Sequence, residues 1–459
     1  MDQISPESKN ETRRRIVNGH IATTVWWLAW PSIITMILQT GYGLIDALFL
    51  GRLGAATLAG LGVANQVLLV LMAFSAAVGV GSTALVARFI GAEDNQSAEE
   101  VTKQSILLAI ISATISGVLL YAFGPSLIKL MAEKGEGVRL GVIYLDILLA
   151  GNVFSFLTVI VTGVYRGLGD VRTPLIATTV ATVINVVGDY ILIFGIGPFP
   201  KLGIAGAAIA VVTSRAVSTA MLLAYLPKTH IPNVLKGSWK PSWNWFARIL
   251  NIGYPAAVQA LLRTGASMTY FGILRRSIDG ENALAALTIG LRTEALAFMP
   301  GFAFSVAAAS MVGQNLGARQ PERAEKGAWA ATWQGIWIMG GIGLLFVFFS
   351  HKIADLFTND IRVLPLASSY LWVNGLSEPF LALGMILTGA LQGAGETRLP
   401  TLATILTLWI IRLPLTYLLA ITLNLGAFGA WIAMSSSTVF SGLAVLGIFK
   451  WTNWSEKEV

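Results

Sequence analysis

From Ile21 onward, long apolar runs alternate with short polar breaks. Reading the runs between breaks predicts spans at 22–50, 56–84, 103–125, 138–164, 174–196, 204–226, 248–274, 284–312, 327–350, 365–390, 399–422 and 426–449. Each is long enough to cross a hydrocarbon core of about 30 Å at about 1.5 Å per residue. The runs are continuous and lack the period-2 alternation of a membrane barrel, so the spans are predicted to be helices. Composition agrees: 55% of residues are hydrophobic and only 12% charged, with a mean hydropathy of +0.70. A soluble domain carries about 25% charged residues. The expected fold is therefore an all-α polytopic membrane protein with twelve transmembrane helices.

Charge placement sets the orientation. The polar segment 1–21, with Lys9, Arg13, Arg14 and Arg15, has no cleavage-like site and reads as a cytoplasmic tail rather than a signal peptide. Loops on the tail's side of the membrane and the two tails hold eighteen Lys and Arg, against nine in the opposite loops. That excess predicts a multi-pass protein of the cytoplasmic (inner) membrane with both termini cytoplasmic. The net charge of +7 is accounted for as this orientation signal, and nucleic acid is not an expected partner. With no Cys, disulfides and thiolate metal sites are excluded. His20, His230 and His351 lie far apart, in loops or at helix ends, and suggest no metal site. No nucleophile or cofactor constellation is evident, so neither an enzyme nor a cofactor is expected. GVGSTA (79–84) and GLGD (167–170) lack the strand–turn–helix context of a nucleotide loop, and no G-x-x-x-x-G-K-[ST] motif supports ATP drive.

The chain also repeats itself. TGVYRGLGDVRTP (162–174) aligns with TGALQGAGETRLP (388–400), and VARFIGAEDNQSAEE (86–100) with MVGQNLGARQPERAEK (311–326). Pro31 aligns with Pro255, and LGIAGAAIA (202–210) with LGAFGAWIA (425–433), all at spacings between 223 and 226. The predicted organisation is a tail at 1–21, a six-helix lobe at 22–226, a cytoplasmic linker at 227–247, a second six-helix lobe at 248–449 and a tail at 450–459. An even number of spans per copy inserts both in one orientation, related by a pseudo-twofold axis along the membrane normal. Parallel repeats around a midplane site are a plan for alternating-access transport.

Within the spans, polar residues form stripes. INVVGDYIL (184–192) carries Asn185 and Asp189, and with Thr178 and Thr182 they share one helix face. Gln39, Tyr42 and Asp46 share a face of the first span, and Asn152, Ser155, Thr158 and Thr162 one of the fourth. These stripes are expected to converge within the N-terminal lobe, with Thr213 beside them. An ionised carboxylate at bilayer depth costs at least about 2.5–3.5 kcal/mol. The repeat pairs Asp46 with Tyr270, Asn185 with Ile411 and Asp189 with Leu415, so the shared architecture does not require the acids. One reading is a coupling site, in which the carboxylates take up a proton, or Asp46, Asn185 and Asp189 hold Na⁺ through hard oxygens. The other is a pair of carboxyls locked in hydrogen bonds that tie helices together. Pro31, Gly41 and Gly43 either let the first helix bend or let it pack closely.

The second half carries Arg263, Arg292, Glu294, Glu378 and Arg412 in its spans. Arg263 and Arg412 need partners, for which Glu294 and Glu378 are candidates. The alternatives are an ion-pair scaffold and a cavity whose acids receive cationic substrate. Phe298, Met299, Trp333, Trp337, Met339 and Met385 are candidate apolar lining.

Taken together, GYGLIDALFLGRLG, YRGLGDVRTP with its echo QGAGETRLP, and NVVGDYILIFG resemble the multidrug and toxic compound extrusion (MATE) family over essentially the whole chain, and its DinF-like branch in particular. The resemblance implies cation-coupled export of amphipathic, often cationic small molecules, with Tyr42, Asp46, Asn185 and Asp189 as the coupling site. Where the family commonly has Thr after GAAIA, this sequence has Val211, with Thr213 close by. A proton-coupled antiporter is expected, embedded in membrane lipid and exporting amphipathic or cationic small-molecule substrates as a monomer. The alternatives are a Na⁺-coupled antiporter and a lipid or lipid-linked glycan flippase of the same plan, the latter predicting an Arg-rich cavity.

Overall fold

The computed structural model describes residues 6–131 and 135–457, and every regular element among them is helical. The first half contains α1 (Pro6–Asn18), α2 (Ile21–Gly51), α3 (Ala55–Gly91), α4 (Asn95–Met131), α5 (Glu136–Ala150), α6 (Asn152–Leu168), α7 (Arg172–Phe194) and α8 (Ile204–Tyr225). The second contains α9 (Trp243–Arg275), α10 (Gly280–Gly317), α11 (Pro321–Asp355), α12 (Leu364–Gly375), α13 (Glu378–Gly393), α14 (Arg398–Ile405), α15 (Leu413–Thr416) and α16 (Gly426–Trp451). A π-helical stretch, Leu406–Arg412, joins α14 to α15, and a second, Tyr417–Thr422, continues the same span beyond α15. The pairs α5–α6 and α12–α13 are each one span, bent by 58° and 55°. With them the helices occupy the twelve expected positions, six in each half; among the described residues eleven are long and apolar enough to cross a membrane, and α9, at the seventh position, is long enough but less apolar.

The helices overrun the apolar windows, because polar residues outside the hydrocarbon remain helical when capped. At the start of α4 the Ser97 N–H donates to Asp94 Oδ1 at 3.0 Å. The bend between α5 and α6 falls at Gly151, where a Cβ would collide with the Val212 side chain of α8. The duplicated loop is a helix start in both copies. Gly169 (φ +77°) and Gly395 (φ +84°) take the left-handed turn that favours glycine. The acid that follows caps the next helix: Asp170 Oδ1 accepts from the Arg172 and Thr173 N–H groups, both at 3.0 Å. Glu396 Oε1 accepts from the Leu399 N–H at 3.0 Å.

The helices group into two compact units. The first takes the described residues up to Arg14 and Ile34–Tyr254; the second takes Arg15–Ile33 and everything from Pro255. The divisions therefore fall inside α2 and α9, beside the repeated prolines, rather than in the linker. In the first unit GVGSTA is a packing stripe. Thr83 Oγ1 donates to the Gly163 carbonyl of α6 at 2.8 Å, Ser82 Oγ to Ser105 Oγ of α4 at 2.7 Å, and a Cβ on Gly81 would strike the Ile249 carbonyl of α9. The linker docks on α4, where the Gln104 amide donates to the Lys240 carbonyl and accepts from the Ser242 N–H, both at 2.9 Å. In the second unit α10 packs on α11 and α13, and α13 on α16. The Tyr370 and Trp431 rings meet edge to face there at 4.9 Å.

Candidate functional site

The first unit gathers its candidate residues from four helices. Tyr42 and Asp46 lie one turn apart on α2, Asn185 and Asp189 one turn apart on α7, and α5 and α8 contribute Tyr144 and Arg215. Tyr144 is within electrostatic reach of Asp46, Tyr42, Asp189 and Arg215, and Asp189 within reach of Asp46. Arg215 donates to the Tyr42 hydroxyl at 3.4 Å. Asp46 is 8% exposed, Asn185 3% and Asp189 0%. Asp46 Oδ1, both amide atoms of Asn185 and both carboxylate oxygens of Asp189 are buried without a hydrogen-bond partner among the described residues. Buried polar groups in folded proteins are nearly always paired, and each orphan costs about 1–3 kcal/mol. The orphaned atoms are four acceptor oxygens and one donor, the Asn185 amide nitrogen.

The remaining sequence candidates lie elsewhere. Asn152 donates to the Ala113 carbonyl of α4 at 3.1 Å, and Thr158 bonds Thr219 of α8 at 2.9 Å, so this stripe ties helices together rather than joining the acids. Thr182 is half-buried, while Gln39 and Thr213 are exposed. α2 runs unbroken through Pro31, and the Cβ positions of Gly41 and Gly43 meet open space, so neither glycine is there for close packing.

The second unit holds another acid pair that the sequence left on separate helices. Glu294 of α10 accepts from the Tyr370 hydroxyl and lies within electrostatic reach of Glu378, which opens α13. Glu378 is 1% exposed, and its Oε2 has no hydrogen-bond partner among the described residues. Arg412 is within electrostatic reach of Glu294 but meets no carboxylate within 4.0 Å among the described residues. Instead it donates to Ser437 Oγ at 2.7 Å and Thr438 Oγ1 at 2.9 Å. Arg263 lies within electrostatic reach of Arg412 and is exposed, as is Arg292. The π-helical stretch ending at Arg412 marks an irregular backbone of the kind that recurs at functional sites.

Three contributors were not singled out from the sequence. Tyr144 and Tyr370 occupy one position of the repeat, 226 residues apart, and each faces its own unit's acids. That spacing was the available signal for both. Arg215 has Thr438 at its place in the second copy, so its signal was not the repeat but its charge within an apolar span.

Known proteins share both the sequence pattern and the architecture. A MatE family profile matches residues 31–191 and 255–418. A probable multidrug resistance protein NorM from Thermotoga maritima is 31% identical over 441 residues, covering 94% of this chain and 93% of the relative. An outward-facing multidrug resistance MATE family transporter of the MOP superfamily superposes with a TM-score of 0.88 at 26% identity, covering 95% of this chain and 96% of that one. A MOP superfamily transporter from Pyrococcus furiosus, described as having a binding pocket of reverse polarity that suggests a different function, gives a TM-score of 0.87 at 25% identity, covering 95% and 98%.

Proposed function

We propose that this chain, which belongs to the MatE family of membrane transporters, is a proton-coupled antiporter that exports amphipathic, cationic compounds by alternating access. The relatives' names support multidrug efflux. The observation that carries the coupling mechanism is the set of unpartnered buried atoms on Asp46, Asn185 and Asp189. Two carboxylates withdrawn from water and within reach of each other need positive charge from outside the protein. In this cycle, protons arriving from the outer side bind Asp46 and Asp189, rearrange the first unit and release substrate outward. Their departure inward resets the transporter. Tyr144 and Arg215 position the acids, the latter through Tyr42.

In the second unit, Glu294 and Glu378 supply negative charge for the substrate's cation. Arg412 is occupied by Ser437 and Thr438, so this cluster favours a cationic substrate over the phosphate of a flippase. Sodium is the second reading for the coupling ion, because the orphaned oxygens on Asp46, Asn185 and Asp189 are the hard donors that Na⁺ takes. The protein works as a monomer in the cytoplasmic membrane with both termini inside.

The test is substrate transport in proteoliposomes under an imposed pH gradient or, separately, an imposed Na⁺ gradient, for wild type, Asp46→Asn and Asp189→Asn. A pH gradient alone should drive transport, and each substitution should abolish it. Drive by Na⁺ alone would transfer the same pocket to sodium. Undiminished accumulation in both variants would overturn the coupling role.

A further inference from the structure

We propose that the second unit carries a binding groove for an anionic phospholipid, separate from both acid clusters. The groove, about 790 Å³, lies between the first third of α2 and the middle of α11. This is within the range of about 300–1,000 Å³ typical of small-molecule sites. Its walls are mainly Trp26, Trp27, Trp30 and Trp337, and Arg15 is the one charged residue that lines it. Every lining residue belongs to the second unit. Gln334 holds the two walls together, its amide donating to the Ala22 carbonyl at 2.9 Å.

The chemistry selects the occupant. Trp337 is 76% exposed and Trp26 47%, so the walls present large apolar faces beside bilayer. Arg15 lies over the Trp27 ring, 4.8 Å from its centroid, and meets no carboxylate within 4.0 Å among the described residues. A guanidinium at the end of a tryptophan-walled groove suits a phosphodiester whose acyl chain lies along the rings. A cationic amphiphile, the substrate class proposed above, would meet repulsion there. Arg15 precedes the first span, and with the tail cytoplasmic the lipid comes from the anionic inner leaflet. A bound lipid braces residues 15–33 on the second unit, while the same helix continues past Pro31 to Tyr42 and Asp46. The transporter is thereby responsive to the composition of its membrane.

The full chain, stripped of lipid in detergent, is titrated with dioleoyl phosphatidylglycerol or dioleoyl phosphatidylcholine, and retained lipid is counted by native mass spectrometry. Wild type should retain one phosphatidylglycerol in preference to phosphatidylcholine. Arg15→Gln should weaken that retention by about five- to tenfold, the loss of about one basic contact. Arg15→Lys should largely restore it, and Arg14→Gln, on a neighbour that does not line the groove, should leave it intact. Trp337→Ala should weaken retention of both lipids. Equal retention of the two lipids by wild type, or equal losses in Arg14→Gln and Arg15→Gln, would overturn the proposal. So would displacement of the lipid by rhodamine 6G with tighter dye binding in Arg15→Gln, which would assign the groove to cationic substrate.

Discussion

Asp189→Leu should make the protein more stable and stop it from working. Asp189 is fully buried and neither carboxylate oxygen has a hydrogen-bond partner among the described residues. Leucine branches at the same carbon with two methyl groups in place of two oxygens, and the repeat carries Leu415 at the corresponding position. Removing one buried, unsatisfied polar group returns about 1–3 kcal/mol or more, so a net gain of about 2 kcal/mol is expected after minor repacking. For a unit of this size that raises the unfolding midpoint by about 4–8 °C. The assay is thermal unfolding of purified protein in detergent, followed by tryptophan emission, beside pH-driven transport in proteoliposomes. Transport should fall by about 100-fold or more, because the acceptor for the coupling ion is gone. A lower midpoint would show that Asp189 is held by stabilising interactions, and retained transport would remove it from the coupling site. Either result refutes the reasoning.

Other expectations follow from the same geometry. Arg215→Gln and Tyr144→Phe should each lower pH-driven exchange by about tenfold while leaving the unfolding midpoint within about 2 °C; unchanged exchange would make both residues bystanders. Glu378→Gln should raise the KM for a cationic dye by about tenfold without affecting an electroneutral substrate, measured by initial rates of uptake. Gly169→Val forces a β-branched residue into the left-handed turn at φ +77° and should cost about 1–2 kcal/mol, read as a lower midpoint. Burial opposes the charge of Glu396, but the Lys457 ammonium at 2.5 Å and the Leu399 N–H hold its carboxyl below the usual 4.5. A depressed acid stabilises the fold above its unfolded value and loses that contribution as pH falls through its folded one. Lys457→Met should therefore lower the midpoint at pH 7, and the difference from wild type should fade below about pH 4.

The spans were legible because hydrocarbon imposes a length and a composition on any helix that crosses it, and the halves because duplication leaves a constant spacing. What lay outside those constraints was missed. The polar segment of α1 is helical, and the ends of α4 and α11 continue into water, where hydropathy carries no signal. Asp46, Asn185 and Asp189 stood out because their burial is costly whatever surrounds them. Asn152 and Thr158 share a helix face as clear as theirs, yet face α4 and α8, since periodicity gives a face but not the neighbour. Glu294 and Glu378 lie 84 positions apart on different spans, and only the packing of α10 on α13 brings them within reach of each other. Tyrosine is at home in core, interface and site alike, so Tyr144 and Tyr370 drew attention only through the charges they face.

The divisions inside α2 and α9 bear on the origin of the duplicated gene. Each compact unit contains a stretch of helix encoded by the other copy: residues 15–33 complete the unit built from the second repeat, and the opening of α9 completes the unit built from the first. A lone ancestral copy, six spans long, could have completed itself only by trading that stretch with a second identical chain, as in domain-swapped dimers. Fusion would then have made a reciprocal exchange permanent. Severing the modern chain between α8 and α9 should accordingly yield two fragments that are inactive singly and regain transport when produced together.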